Sequence, residues 1–282
     1  MKKVLKWTGF VVAGIAVLVL LTASWVYLAS EHELDRRYDV AASRPLVIPS
    51  DPAELEEGRR LAHITGCTHC HAENLGGAVP LDIPNVVRFV APNVTAVLPG
   101  YSDAELETLL RKGVRRDGTS VFFMPAAMLR HLDDRDVGRI IAWLRTVPRV
   151  EGMTEQTEVR AIGRLIIAKG DFKSAAQYVL DTPPAAATAA DETASRGRYL
   201  VMAGCTECHG QDLNGEELAK APPLSVARNY SAEDFSKLMH DGVALGGRET
   251  ELMSPTARSR FASFTAEETA AIYEFLQSRR DL

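Results

Sequence analysis

Cys67-Thr68-His69-Cys70-His71 and Cys205-Thr206-Glu207-Cys208-His209 are one five-residue pattern written twice, 138 positions apart, and they use every cysteine of the 282-residue chain. Each copy follows a glycine, Gly66 or Gly204, and is trailed by a leucine and a glycine at matching distances: Leu75 and Gly77, then Leu213 and Gly215. Downstream the match continues at a smaller offset. Ala91-Pro92 pairs with Ala221-Pro222; Tyr101-Ser102, Gly113-Val114 and Met124 pair with Tyr230-Ser231, Gly242-Val243 and Met253. The change of offset puts the main length difference between the cysteine cluster and the Ala-Pro pair, where a loop can absorb it.

The elements between these landmarks read as helices. Ser102 and Ser231 are N-cap candidates with a carboxylate three residues on, Glu105 and Asp234. Leu106, Leu109 and Leu110 follow in the first copy and Phe235, Leu238 and Met239 in the second, the spacing of a buried helix face. Each copy ends in a further helix: Asp133 caps one with Val137, Ile140, Ile141 and Leu144 inward, and Thr265 with Glu268 caps the other with Ile272, Phe275 and Leu276 inward. No alternating pattern of useful length marks a strand, so the expected fold beyond the N-terminus is all-α.

Two thiols on one helical turn, followed at once by an imidazole, can add to the two vinyl groups of a haem while the histidine meets its iron, and CxxCH is read as c-type haem attachment. The competing readings are a pair of disulfides and a thioredoxin-like redox dithiol; neither accounts for a histidine and a downstream methionine in both copies. Cys67, Cys70, Cys205 and Cys208 are therefore the expected thioether sites, and His71 and His209 the proximal iron ligands. Met124 and Met253 occupy equivalent positions between the middle and last helices, each with a proline close behind, Pro125 or Pro255, and are the expected distal ligands. A thioether there favours the ferrous state and raises the reduction potential. Met128, one turn from Met124, is the alternative in the first copy, although it has no counterpart in the second. His63, His69, His131 and His240 do not recur and are read as surface or haem-edge residues; His32 is read as solvated. Pro92 and Pro222 are either ordinary loop prolines or carbonyl acceptors that fix the tautomer of the ligand histidine.

The N-terminus sets the expected compartment. After Lys2, Lys3 and Lys6 no charge occurs from position 7 to 30, a run that spans roughly 36 Å as a helix against a hydrocarbon core of about 30 Å. Trp7, Trp25 and Tyr27 stand at its ends, and the preceding lysines favour a cytoplasmic N-terminus. A retained anchor is the reading adopted; a cleaved signal peptide is the alternative, and both export the remainder. The net charge of −5 argues against nucleic acid as a partner, and 46% hydrophobic with 24% charged residues argues for a globular chain.

With these motifs in view, residues from about Pro52 to Pro148 and from about Thr193 to Arg280 resemble two class I type cytochrome c domains, as in membrane-anchored dihaem cytochromes c and the cytochrome subunits of periplasmic dehydrogenases. The expected organisation is an anchor at 1–30, a tether at 31–51, a cytochrome c domain at 52–148, a linker with a helix at 149–192 and a second domain at 193–282. In the linker, Val159, Ile162, Ile166 and Ile167, followed by Phe172 and Tyr178, suggest that helix, interrupted near Gly170, and Thr182-Pro183-Pro184-Ala185 a spacer. The resemblance implies two covalently bound haem c groups and one-electron transfer outside the cytoplasmic (inner) membrane. The partners it implies are redox proteins such as a dehydrogenase, an oxidase or another cytochrome. Met253 departs from the pattern in being followed by Ser254-Pro255, and two motifs stand where alcohol dehydrogenase cytochrome subunits carry three. A carrier with both irons closed is the function expected; the alternative is a haem enzyme such as a dihaem peroxidase, which needs one displaceable distal ligand.

Overall fold

A computed structural model describes residues 2–40, 45–182, 192–217 and 219–279. The chain begins as a single 33-residue helix, α1 (Lys2–Leu34), whose apolar length is exposed and is long and apolar enough to cross a membrane. It continues past the apolar run because Arg164 binds its last turns, donating to Ser30 Oγ (3.0 Å) and pairing with Glu31.

The first half then runs α2 (Pro52–Ile64), α3 (Cys67–His71), β1 (Ala78–Ile83), β2 (Val87–Ala91), α4 (Val94–Val97), α5 (Asp103–Lys112), α6 (Ala126–Leu129) and α7 (Asp134–Thr146). Next come β3 (Glu158–Val159), α8 (Ala161–Ala168) and α9 (Ala175–Asp181). The second half is α10 (Glu192–Gly204), α11 (Thr206–His209), α12 (Ala232–Asp241), α13 (Met253–Ser259) and α14 (Ala266–Ser278). The caps are those expected: Ser102 and Glu105 close a reciprocal capping box, as do Thr265 and Glu268, while Ser231 and Asp133 each accept from the N–H three residues on.

Each half has its own apolar core. Leu61, Leu75, Val137, Ile140 and Ile141 centre the first; Val201, Leu213, Ile272 and Leu276 centre the second. In both, the first and last helices cross at a glycine. A Cβ on Gly58 would lie 2.1 Å from Arg139 O, and one on Gly197 2.0 Å from Ala271 O, so only a bare Cα lets the backbones meet.

Three regions differ from the sequence reading in detail. The all-α expectation holds for the fold as a whole, and to it the structure adds a small antiparallel sheet in the order β1-β2-β3. It has no alternating signature because β1 is exposed from Pro80 to Ile83, contains Pro80, and pairs with β2 through a register shift between Ala78 and Leu81. The hairpin is the length difference between the repeats, since among the described residues the second copy has a turn closed by a Glu216–Ala221 bridge there and no strand. Residues 31–40 and 45–51 do not stand free. Tyr38 N donates to Gly118 O (2.9 Å), its hydroxyl meets Ser174 Oγ (2.8 Å), and Val47 O sits where a Cβ on Gly138 would be. The linker helix, expected to be interrupted near Gly170, is two helices, α8 and α9, on either side of Gly170 (φ 78°), and Val159, read as part of it, lies in β3 instead; the spacer reading from Pro183 onward lies outside the described residues.

Candidate functional site

The repeated leucine and glycine behind each cysteine cluster shape the loop that supports its histidine. Leu75 (φ 57°) and Leu213 (φ 66°) are left-handed although they are not glycine, and both are almost wholly buried. Such a conformation costs on the order of 1–3 kcal/mol and persists only where the surroundings hold it. Here Val94 N and Leu224 N each donate to the leucine carbonyl at 2.9 Å. Two residues on, Gly77 (φ 89°) and Gly215 (φ 95°) donate back to the histidine carbonyls, His71 O and His209 O, both at 2.9 Å. A Cβ on either would fall 2.7 Å from Ala91 O or 2.6 Å from Ala221 O. The chain therefore turns back tightly and brings the following proline against the histidine.

Its consequence is the same bond in both copies. Nδ1 of His71 donates to Pro92 O at 2.8 Å, and Nδ1 of His209 donates to Pro222 O at 2.8 Å. A carbonyl can only accept, so the proton of the neutral ring is on Nδ1 and the lone pair on Nε2. Burial holds both imidazoles below their ordinary pKa, against the opposing pull of the proline carbonyl, which favours the neutral ring that binds a metal.

The four thiols are unpaired. Burial pushes Cys70 up to about 11 and Cys205 up to about 12, and raises Cys67 and Cys208 as well. A redox dithiol depends on a lowered thiol pKa, so these environments are the reverse of what thioredoxin-like chemistry needs. Among the described residues no group of three or more His, Cys, Asp or Glu has the arrangement of a metal-ion site.

Met124 and Met253, expected as distal ligands, are partly buried at the edges of the first and second cores respectively, whereas Met128 is 1% exposed and packed inside the first. Met124 lies in the loop before α6 and Met253 opens α13, and the two segments are fixed differently. Before Met124, Phe123 stacks on Phe89 of β2 (centroids 4.4 Å apart) and meets Phe172 between α8 and α9 (5.2 Å). The second half lacks a hairpin and instead latches the residue after Met253: Ser254 N donates to Thr250 Oγ1 (3.0 Å) and Thr250 N to Ser254 Oγ (2.8 Å), with Ser254 fully buried. The Ser254-Pro255 departure thus has its own support.

The remaining histidines have other neighbours. His63 Nδ1 is 2.9 Å from Thr68 Oγ1, His131 Nε2 is 2.8 Å from Gln211 Oε1 and His240 Nε2 is 3.1 Å from Thr269 Oγ1; His32 and His69 are exposed.

The model of the family described as Cytochrome c matches residues 55–148 and 194–280. The chain belongs to the cytochrome c family. A comparison with curated proteins found no match. Cytochrome c domains imply covalently bound haem c, and the donor set fits that group: in each copy, two unpaired cysteines on one turn, a neutral imidazole with Nε2 available, and a partly buried thioether at the edge of the same core.

The two cytochrome c repeats also meet through their attachment segments. Arg260, 6% exposed, donates from Nε to Ile64 O (3.0 Å), just before the first cluster, and from Nη1 to Glu207 Oε2 (3.0 Å), inside the second. Arg60 spans the same boundary to Glu268 (2.7 Å) and Ser263 O (2.9 Å), and α6, which follows Met124, packs on α10 and α11. Sequence reading passed over Gly58, Gly197 and Arg260. The glycines had a signal in the Gly-Arg-x-Leu that opens both copies at 58 and 197; Arg260 had none, because its partners lie in the other repeat or far along the chain.

Proposed function

We propose that the chain is a dihaem electron carrier, anchored by α1 in the cytoplasmic (inner) membrane with its N-terminus inside and both haem domains in the periplasm. Cys67 and Cys70 would hold one haem c by thioethers, with His71 and Met124 as its iron ligands; Cys205 and Cys208 would hold the other, with His209 and Met253. The observation that carries this reading is the 2.8 Å bond from histidine Nδ1 to a proline carbonyl, made twice at repeat-related positions. It orients the ring, sets the tautomer and leaves one nitrogen for iron. When bound, haem supplies one-electron exchange between ferric and ferrous iron. The protein's part is to exclude water with the two apolar cores, offer an imidazole and a thioether to each iron, and keep the attachment segments of the two halves together around Arg260.

Partners of this reading are a respiratory donor or dehydrogenase and a downstream acceptor. The test is a redox titration of the purified, haem-loaded protein with carbon monoxide added to the reduced form. A carrier titrates as two one-electron centres and leaves carbon monoxide unbound. Prompt binding at one haem overturns the closed-site reading in favour of the peroxidase-like alternative.

A further inference from the structure

We propose that the outer face of α8 lies in the membrane–water interface and forms a second, in-plane contact that holds the first haem domain against the bilayer. This rests on the reading of α1 as a membrane span.

The depth of α8 follows from what it touches. α8 packs against α1, and α1 is exposed up to Trp25 and then partly covered at Val26 and Ala29, with Ser30 fully buried. The uncharged run exceeds a hydrocarbon core by about 6 Å, or roughly four residues of helix, so its ends reach the headgroup layers, and Trp25, Tyr27 and the first charge, Glu31, mark that layer at the end α8 touches. Arg164 of α8 grips that stretch: its guanidinium lies 4.7 Å from the centroid of the Tyr27 ring and bonds Ser30 and Glu31. An arginine over an interfacial tyrosine is where a charged head and an apolar stem both find their medium.

The composition of α8 suits that depth. Its sequence, Ala-Ile-Gly-Arg-Leu-Ile-Ile-Ala, has one charge. One side is used inside the protein: Ile167 is buried, and a Cβ on Gly163 would meet Val86 O at 2.2 Å. The other side exposes Ile162 and Leu165. The hairpin beside it adds Leu81 and Ile83, both exposed, joined to α8 through Arg160, which donates to Asp82 Oδ1 (2.6 Å) and Ile83 O (3.1 Å). Arg160, Arg164 and Lys169 are each paired with a carboxylate, so the surface offers no excess of positive charge. It is an apolar contact with lipid, of the kind made by in-plane helices, and not an electrostatic one.

The experiment uses the full-length haem-loaded protein in phosphatidylcholine proteoliposomes, with a benzophenone amino acid at Ile162 or Leu165 and illumination followed by intact-mass analysis. Controls carry it at Leu18 of α1 and at the exposed Leu252 of the second half. Phospholipid adducts at 162 and 165, as at 18 and unlike 252, support the proposal, and their yield should not fall in high salt. Adducts at 18 with none at 162 or 165 overturn it while leaving the anchor intact. No adduct at 18 removes the anchor and this inference with it. Unchanged haem content of each variant shows that the label has not unfolded the domain.

Discussion

At the scale of single residues, each repeat places strained backbone and a proline carbonyl where an imidazole needs them. Gly77 illustrates the tolerance. With φ at 89° and no room for a Cβ beside Ala91 O, Gly77→Ala is expected to cost ~1–3 kcal/mol, seen as a lower Tm and as loss of haem from the first half ahead of the second. Distal ligation has an equally local test. Met124→His should lower one of the two reduction potentials, because replacing thioether sulfur with nitrogen removes the preference for ferrous iron; an unchanged titration would transfer the role to Met128. The repeat marks the CxxCH pairs, their histidines and the candidate methionines twice, which is why sequence alone singles them out. The Ser254–Thr250 latch was not, since a pair of hydroxyls four residues apart has no distinctive pattern until the backbone brings Oγ and N–H together.

At the scale of elements, caps and apolar spacing specify the helices, and the structure follows them at Ser102, Asp133, Ser231 and Thr265. What spacing does not reveal is how two helices cross. Gly197 lies where α10 meets α14, and its missing Cβ is the condition for that approach. Gly197→Ala should force the helices apart at ~1–3 kcal/mol, a fall in Tm of about 4–8 °C per kcal/mol for a unit of this size, with the first half's haem retained. The β1–β2 hairpin escaped notice for a related reason. An exposed strand has no buried face to impose alternation, and its order comes from partners, Phe123 on Phe89 and Thr157 Oγ1 accepting from Val90 N (3.0 Å).

At the scale of the whole molecule, the two cytochrome c repeats share a boundary built from their own attachment segments. Arg260 is the buried charge at its centre. Arg260→Met leaves Ile64 O without its donor, a loss of ~1–3 kcal/mol, and removes a cation adjacent to both cysteine clusters. It should therefore loosen the halves, measured as earlier limited proteolysis, and lower both potentials together, whereas a merely local defect would move one. No sequence pattern announced this boundary, because the contacts join residues about 200 positions apart. The account as a whole requires that every chain hold one porphyrin in each half through thioether bonds. Its most direct test is haem quantitation on denatured protein made with cytochrome c maturation machinery, using the intact mass of the wild type and of the Cys205→Ser, Cys208→Ser variant. The expected result is two covalently held haems in the first and one in the second; a wild-type chain that releases its haem on denaturation, or carries none, would contradict it.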